Sequence, residues 1–255
     1  MKTLILSAIL ALTATIAAAE PVKVGMAPEP YPPFASVDAA GTWQGWEIEI
    51  VDAIFKSQGM EYTIVPTAWD GIIPALTAGQ IDTIMNSMSI TEERSKTIDF
   101  SDKYYNTPTV IIATKGAVAA PTAEALAGKI IGVQVSTIHQ AYVDKYFGAT
   151  AAEVKTYQTQ DEANQDLVAG RIDAIQADSI ALDAFLASDA GKACCELVGA
   201  VADDKAILGS GVGAGVRKGD EALLGSINAG IAAIRADGTY ETITAKYFAS
   251  SIFGD

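Results

Sequence analysis

Arg94 stands in the stretch NSMSITEERSK (86–96), a few residues past the amide of Asn86 and the hydroxyls of Ser87, Ser89 and Thr91. A guanidinium is planar and donates in a fork that matches a carboxylate with two parallel hydrogen bonds. The ordinary alternative is a surface arginine paired with Glu92 or Glu93. A second candidate is VSTIHQAY (135–142), where Ser136, Thr137 and Ile138 lie between an expected strand and an expected helix. Free backbone N–H groups collect at such a junction and favour an anion, although plain N-capping also accounts for the hydroxyls. Asp178 is placed to end a strand and start a helix, so it is either a simple cap or an acceptor for an ammonium group. Arginine for a carboxylate and aspartate for an ammonium describe a clamp for an α-amino acid. Tyr31 and Trp69 each follow an expected strand and can sandwich an aliphatic or cationic side chain. Glu29 beside them can meet a distal positive charge, or be a solvated loop acid. His139 has no serine or cysteine obviously paired with it, which argues against a catalytic triad and leaves it as a rim residue.

The formal charge of −14 over 255 residues repels phosphate backbones and anionic lipid, so nucleic acid is not an expected partner. A single histidine and two cysteines exclude a Cys/His metal cluster, and no metal or cofactor is expected. The cysteines are the neighbours Cys194 and Cys195. Adjacent Cα atoms sit about 3.8 Å apart, below the usual disulfide range, so two thiols at a strand edge are expected. Residues 1–19 carry Lys2, an apolar run and Ala17-Ala18-Ala19, the signature of a secretory signal peptide with cleavage before Glu20. No cysteine lies near that point to take a lipid. The expectation is an exported, unanchored chain without a membrane-inserted segment.

The elements that must position these side chains follow from alternation. VKVGMA, YTIVP, IDTIMNSM, TVIIAT, KIIGVQV, EVKTYQ, RIDAIQA and GSGVGAGV read as strands. GWEIEIVDAIFKSQGM, WDGIIPALTAGQ, STIHQAYVDKYFG, DEANQDLVAG (capped by Asp161), DSIALDAFLAS, EALLGSINAGIAAIRADG and TYETITAKYF read as helices. Strand–helix alternation of this kind predicts parallel sheets covered by helices. LTAGQIDTIMNSMS and LVAGRIDAIQADSI repeat one pattern, and each strand within them ends in polar groups. Open parallel sheets bind ligands at the carboxyl ends of their strands, so two facing sheets make a cleft with polar groups on both walls.

Through YPPF, GWEIEIVDAI, WDGIIPAL, IDTIMNSMSITEERSKTIDFSDKYY, IIGVQVST, GRIDAIQAD and IRADGTYETITAKYF, the sequence resembles the periplasmic amino-acid-binding proteins of ABC importers. These are solute-binding protein family 3, typified by lysine/arginine/ornithine- and histidine-binding proteins. The resemblance implies a two-lobed α/β fold of the type II periplasmic binding proteins, each lobe a mainly parallel sheet flanked by helices, with two hinge crossovers near 107–109 and 208–210. Lobe 1 would take 20–107 plus 210–255, lobe 2 would take 108–209, and the ligand would be held by hinge closure. Arg94 would bind the α-carboxylate with backbone N–H groups at Ser89 and around Thr137. Asp178 and a hydroxyl or carbonyl of Ser87 would hold the α-ammonium, while Tyr31 and Trp69 pack on the side chain.

The pattern departs from the family at four places, one of them His139, where several relatives have glutamine. Ser136-Thr137-Ile138 replaces Gly-Thr-Thr or Gly-Ser-Thr. MAPEPYPPF carries an extra residue, so only Glu29 approximates the acid found in binders of basic amino acids. Phe55 and Tyr62 stand where close relatives have a disulfide. The implied activity is capture of a polar, cationic amino acid (arginine, ornithine or lysine, with histidine next) for delivery to membrane permease subunits, by a periplasmic monomer. The rival is a cyclohexadienyl- or arogenate-dehydratase-like enzyme on the same fold.

Overall fold

The computed structural model describes residues 20–254, and the expected signal peptide lies outside them. In the amino-terminal part, β1 (Val22–Met26) is followed by a small ribbon of β2 (Ser36–Val37) and β3 (Trp43–Gln44). Next come α1 (Trp46–Ser57), β4 (Tyr62–Pro66), a 3-10 turn (Trp69–Gly71), α2 (Ile72–Thr77), β5 (Thr83–Ile84), α3 (Glu92–Ser95) and β6 (Ile98–Tyr105). The chain then builds β7 (Thr109–Thr114), β8 (Ile130–Gln134), α4 (Ile138–Tyr146), β9 (Glu153–Tyr157), α5 (Gln160–Val168) and β10 (Ala174–Asp178). After α6 (Ser179–Ala187), α7 (Asp189–Cys194), β11 (Cys195–Ala200) and α8 (Lys205–Leu208), it returns through β12 (Val212–Arg217), α9 (Glu221–Ala236) and α10 (Thr239–Thr244).

Two five-stranded sheets result, with orders β4-β1-β5-β12-β6 and β11-β7-β10-β8-β9. Both are mixed rather than mainly parallel. The β1–β4, β1–β5, β8–β9 and β8–β10 pairs are parallel; β12 runs against β5 and β6, and β7 runs against β10 and β11. The reason lies in the crossings. β6 carries the chain out of the first sheet and β12 carries it back in, so the two point in opposite directions. On the other side β7 enters the second sheet from the crossing, while β10 and β11 run toward it. Alternation with helices reports the parallel pairs and is silent about this return path.

Helix α1 shows how the first lobe is held. Trp46, Ile50, Val51, Ile54 and Phe55 recur at helical spacing and are fully buried, acids open its first turn, and Lys56 closes its last, which suits the helix dipole. The carboxyl-terminal helices return to the same core: the Trp46 indole donates to Thr244 Oγ1 at 3.0 Å, and Tyr240 donates to the Tyr104 carbonyl at 2.7 Å. Phe55 and Tyr62 pack with ring centroids 5.0 Å apart, adding an aromatic contact between α1 and β4. The second sheet is covered on one face by Leu167, Ile172 and Leu182 and on the other by Tyr142, Val143 and Phe147.

Three local expectations are corrected. Helix α5 is capped by Thr159, not Asp161: Thr159 Oγ1 accepts from Glu162 N, and the Glu162 carboxylate accepts from Thr159 N. This reciprocal box satisfies two free N–H groups, which a cap at Asp161 would not. Cys194 and Cys195 are joined by a disulfide, where thiols were expected. They are the last residue of α7 and the first of β11, so the backbone changes from helix to extended chain between them. The third strand is only two residues long in β5, because the chain after Ile84 leaves the ladder to form the cleft wall.

Gly45 precedes α1 at φ 127°, and a Cβ there would stand 2.3 Å from the Phe34 carbonyl oxygen. Gly45→Ala combines that clash with a backbone region closed to L-residues. It is expected to lower unfolding stability by at least about 1–3 kcal/mol, read from urea denaturation midpoints.

Candidate functional site

Strand ends converge between the two sheets. From the first, Ala27 follows β1, Trp69 follows β4, and Asn86 and Ser87 follow β5; from the second, Gln134 ends β8 and Asp178 ends β10. One cavity is lined by Glu29, Tyr31, Trp69, Asn86, Ser87, Ser89, Arg94, Thr137 and Ile138, together with Ala27, Pro30, Gln134, His139 and Gln160. A second opens beside it toward the crossings and is lined by Asp178, Thr107 and Thr109 among others. Tyr31, Ser87, Ser89, Ile138 and His139 line both. Nine of the residues singled out from sequence thus face one space, and Asp178 faces its continuation.

Arg94 sits in the short helix α3, capped by Thr91. Its Nη1 donates to the Ser89 carbonyl at 3.0 Å, and its Nη2 donates to the Ser136 carbonyl on the opposite wall at 3.2 Å. The guanidinium lies over the Trp69 ring, 5.4 Å from its centroid. It forms no ion pair among the described residues, so neither Glu92 nor Glu93 neutralises it. Burial pushes its pKa down to about 10, which still leaves it charged at neutral pH.

Asp178 is its counterpart on the second lobe. One oxygen caps α6, accepting from Ile180 N at 2.8 Å and Ala181 N at 3.3 Å; the other accepts from the Thr107 hydroxyl in the first crossing. No cation of the described residues reaches it. Burial pushes its carboxyl up to about 6, against the hydrogen bonds from Thr107, Ala181 and Ile180 that pull it down. Cap and cleft residue are therefore compatible readings of the same side chain.

Ser87 and Ser136 are the only non-glycine residues at positive φ among those described, at 55° and 60°. Each turns the chain sharply after a strand, one on either wall, and such strain persists only where surroundings hold it. For Ser136 the holder is Gln140, whose Oε1 accepts from Ser136 N at 2.8 Å. For Ser87 it is Glu47, a residue the sequence reading missed. Glu47 is 1% exposed. Its carboxylate accepts from Ser87 N at 2.7 Å, from Ser87 Oγ at 2.9 Å and from the Tyr104 hydroxyl. The Ser87 hydroxyl proton is thereby committed to Glu47, and its carbonyl accepts nothing from the described residues. Glu47 lies within GWEIEI, where the helical pattern places Trp46, Ile50 and Val51 inward; an acid flanked by such positions was the available signal.

Trp69 donates its indole N–H to the Val135 carbonyl at 3.1 Å, so it joins the two walls as well as lining one. Asn86 Oδ1 accepts from Ala27 N at 3.2 Å. Thr137 donates to the Gln134 carbonyl at 2.7 Å and caps α4 by accepting from Gln140 N, which leaves its hydroxyl internally engaged. His139 is not at the rim: it lies between the two cavities, with Nδ1 3.4 Å from Thr109 Oγ1. Burial, and then the Arg94 charge, push its pKa down to about 3, so it is neutral at physiological pH. Glu29 forms no hydrogen bond or ion pair with the described residues. No group of acids, histidines and cysteines among the described residues is suited to a metal ion, and none of the described helices is long and apolar enough to cross a membrane.

The chemistry on offer is electrostatic. A guanidinium on one wall and a carboxylate on the other each lack an oppositely charged partner among the described residues.

The model of the bacterial extracellular solute-binding proteins, family 3, matches residues 22–250. The chain is 41% identical over 259 residues to the L-arginine-binding protein of Pseudomonas aeruginosa, across 100% of this chain and 99% of that one. It is 37% identical to the lysine/arginine/ornithine-binding periplasmic protein of Escherichia coli, across 92% and 90%. Among solved structures, an ancestral arginine-binding protein bound to arginine superposes with a TM-score of 0.81 at 35% identity, covering 89% of this chain and 98% of that one.

The raised pKa of Asp178 predicts a pH signature without ligand. Its folded pKa of about 6 exceeds the ordinary carboxylate value, so the folded state binds the proton more tightly and stability falls as pH rises through the interval from about 4 to 6. Asp178→Asn removes that dependence. Relative to the parent it is expected to be more stable by about 1–3 kcal/mol above pH 6, with the difference closing toward pH 4, as read from paired denaturation curves.

Proposed function

This chain belongs to the bacterial extracellular solute-binding proteins, family 3, and from that premise we propose that it captures a free amino acid with a cationic side chain. Arginine, ornithine or lysine fits first and histidine next, held between the two lobes and passed to the permease subunits of an ABC importer. The observation that carries this reading is the pair of uncompensated charges in one cleft, Arg94 from the first lobe and Asp178 from the second. A zwitterion supplies both missing partners at once, its carboxylate to Arg94 and its ammonium to Asp178 and the Ser87 carbonyl. Tyr31 and Trp69 then flank the side chain, and Glu29 offers it a carboxylate.

Closure is part of the same proposal. Residues 20–107 with 210–255 act as one lobe and 108–209 as the other, turning about the segments near 107–109 and 208–210. The Arg94 and Trp69 hydrogen bonds to the facing wall belong to the closed arrangement. Since Arg94 spans the cleft and also faces the ligand, binding and closing reinforce each other. The expected signal peptide and the periplasmic relative named above support a periplasmic place of work.

A dehydratase acting on a cyclic acid would need a proton donor in the cleft, for which His139 and Glu29 are the candidates. His139, pushed down to about 3, carries no extra proton to give at neutral pH. The relatives named above are binding proteins, and binding without chemistry is the reading adopted.

Calorimetry with a panel of free amino acids tests the proposal; a response to acidic amino acids alone would overturn the side-chain class. Arg94→Ala leaves a carboxylate unpaired in the cleft, and affinity is expected to drop by about two orders of magnitude or more with folding retained. Asp178→Asn is expected to weaken free amino acids while affecting their N-acetyl derivatives far less. Near-parental affinity in Arg94→Ala removes the basis of the reading.

A further inference from the structure

The loop from β8 to α4 meets the first lobe through its backbone rather than its side chains. The ladder to β9 ends where Val135 N donates to the Tyr157 carbonyl at 2.9 Å. The next two carbonyls both turn to the first lobe: that of Val135 accepts from the Trp69 indole at 3.1 Å, and that of Ser136 from Arg94 Nη2 at 3.2 Å. Successive carbonyls of an extended chain point to opposite sides, so two in a row face one wall only if the chain bends between them. Ser136, at φ 60°, is that bend. Glycine enters this region freely, whereas a residue with a Cβ has to be held there.

Gln140 supplies the hold. It is the third residue of α4, from where a glutamine ordinarily reaches back to the N–H of the cap residue, here Thr137. It reaches one residue further instead, and its Oε1 accepts from Ser136 N at 2.8 Å. The N–H and C=O of a trans peptide point in opposite directions. Drawing the Ser136 N–H toward α4 therefore aims the Val135 carbonyl at Trp69, and the positive φ then aims the Ser136 carbonyl at Arg94. Arg94 is held from both lobes, because its Nη1 donates to the Ser89 carbonyl at 3.0 Å. One carbonyl on each Nη sets the guanidinium plane and leaves each Nη a second N–H for an incoming carboxylate. Gln140 itself lines neither of the two cavities.

We propose that Gln140 is a positioning residue for capture of the ligand's carboxylate, acting through the left-handed conformation of Ser136 on the orientation of Arg94. The inference rests on the reading given under Proposed function, in which Arg94 takes that carboxylate. The ordinary role of such a glutamine is to cap its helix. Here the cap of α4 is retained without it, since Thr137 Oγ1 accepts from the backbone N of Gln140 at 3.1 Å.

The test is a double-mutant cycle read by calorimetry on the full mature chain. L-arginine, L-ornithine, L-lysine and L-histidine are titrated into the parent, and the tightest of them serves for the variants. Gln140→Ala and Gln140→Met are each expected to lower affinity by about tenfold or more. Methionine keeps the length and lacks the acceptor, so equal losses assign the effect to the hydrogen bond. The same Gln140→Ala change made in a Ser136→Gly background is expected to lower affinity by about threefold or less, because glycine needs no hold at positive φ. A glutamine that only caps α4 loses as much in either background. Equal costs in the two backgrounds, or parental affinity in Gln140→Met, overturn this inference alone. Failure of all four amino acids to bind the parent overturns the reading it rests on as well.

Discussion

A guanidinium held in a cleft without a carboxylate of its own is the constraint around which the rest is arranged. Desolvating Arg94 lowers its pKa to about 10, and the protein returns only two carbonyl hydrogen bonds and a ring face. Asp178 mirrors it, with a pKa raised to about 6 and donors from one hydroxyl and two backbone amides. Charges of opposite sign in a low-dielectric space attract strongly, and a buried charge left without its partner is costly. Here they come from different lobes and belong to adjoining cavities. On the proposed reading, the ligand's two ends complete what the protein leaves open.

That separation must be mechanically supported. The walls that face each other are formed where strands end, and on each wall a serine is held at positive φ. Ser87 keeps its conformation because Glu47, buried in the first helix of the first lobe, binds both its N–H and its hydroxyl. Ser136 keeps its conformation through the Gln140 side chain. Glu47 is itself a costly group: burial pushes its carboxyl up, and the hydrogen bonds from Tyr104 and Ser87 pull it back down. The arrangement thus places a second anion-shaped demand beneath the cleft floor and satisfies it with donors rather than with a cation.

His139 belongs to the same electrostatic scheme. A protonated imidazole between the two cavities would add positive charge near Arg94 and next to the site assigned to an ammonium. Burial and the Arg94 field both disfavour that proton, so the ring contributes shape and polarity without charge. The overall excess of acids, spread over the surface, is compatible with attraction of a cationic solute. The cleft itself carries few charges, and each has a definite place.

By itself the sequence determined the alternation of strands and helices, the two half-repeats ending in polar residues, and a set of candidate residues from Tyr31 to Asp178 that do face one cleft. These are local signals: apolar periodicity, caps at strand–helix junctions, and hydroxyls clustered near an arginine. It did not determine the mixed sheets, because the direction of β7 and β12 depends on how the chain crosses between lobes. Glu47 was also out of reach, since it acquires its role from Ser87, forty positions away in sequence. The commitment of the Ser87 hydroxyl follows from the same long-range contact with Glu47. Residue types and spacing specify which groups are able to meet a zwitterion. Only the packing of two sheets across a crossing decides which of them keep a free hydrogen-bonding atom or an unmatched charge, because that depends on every other partner within reach.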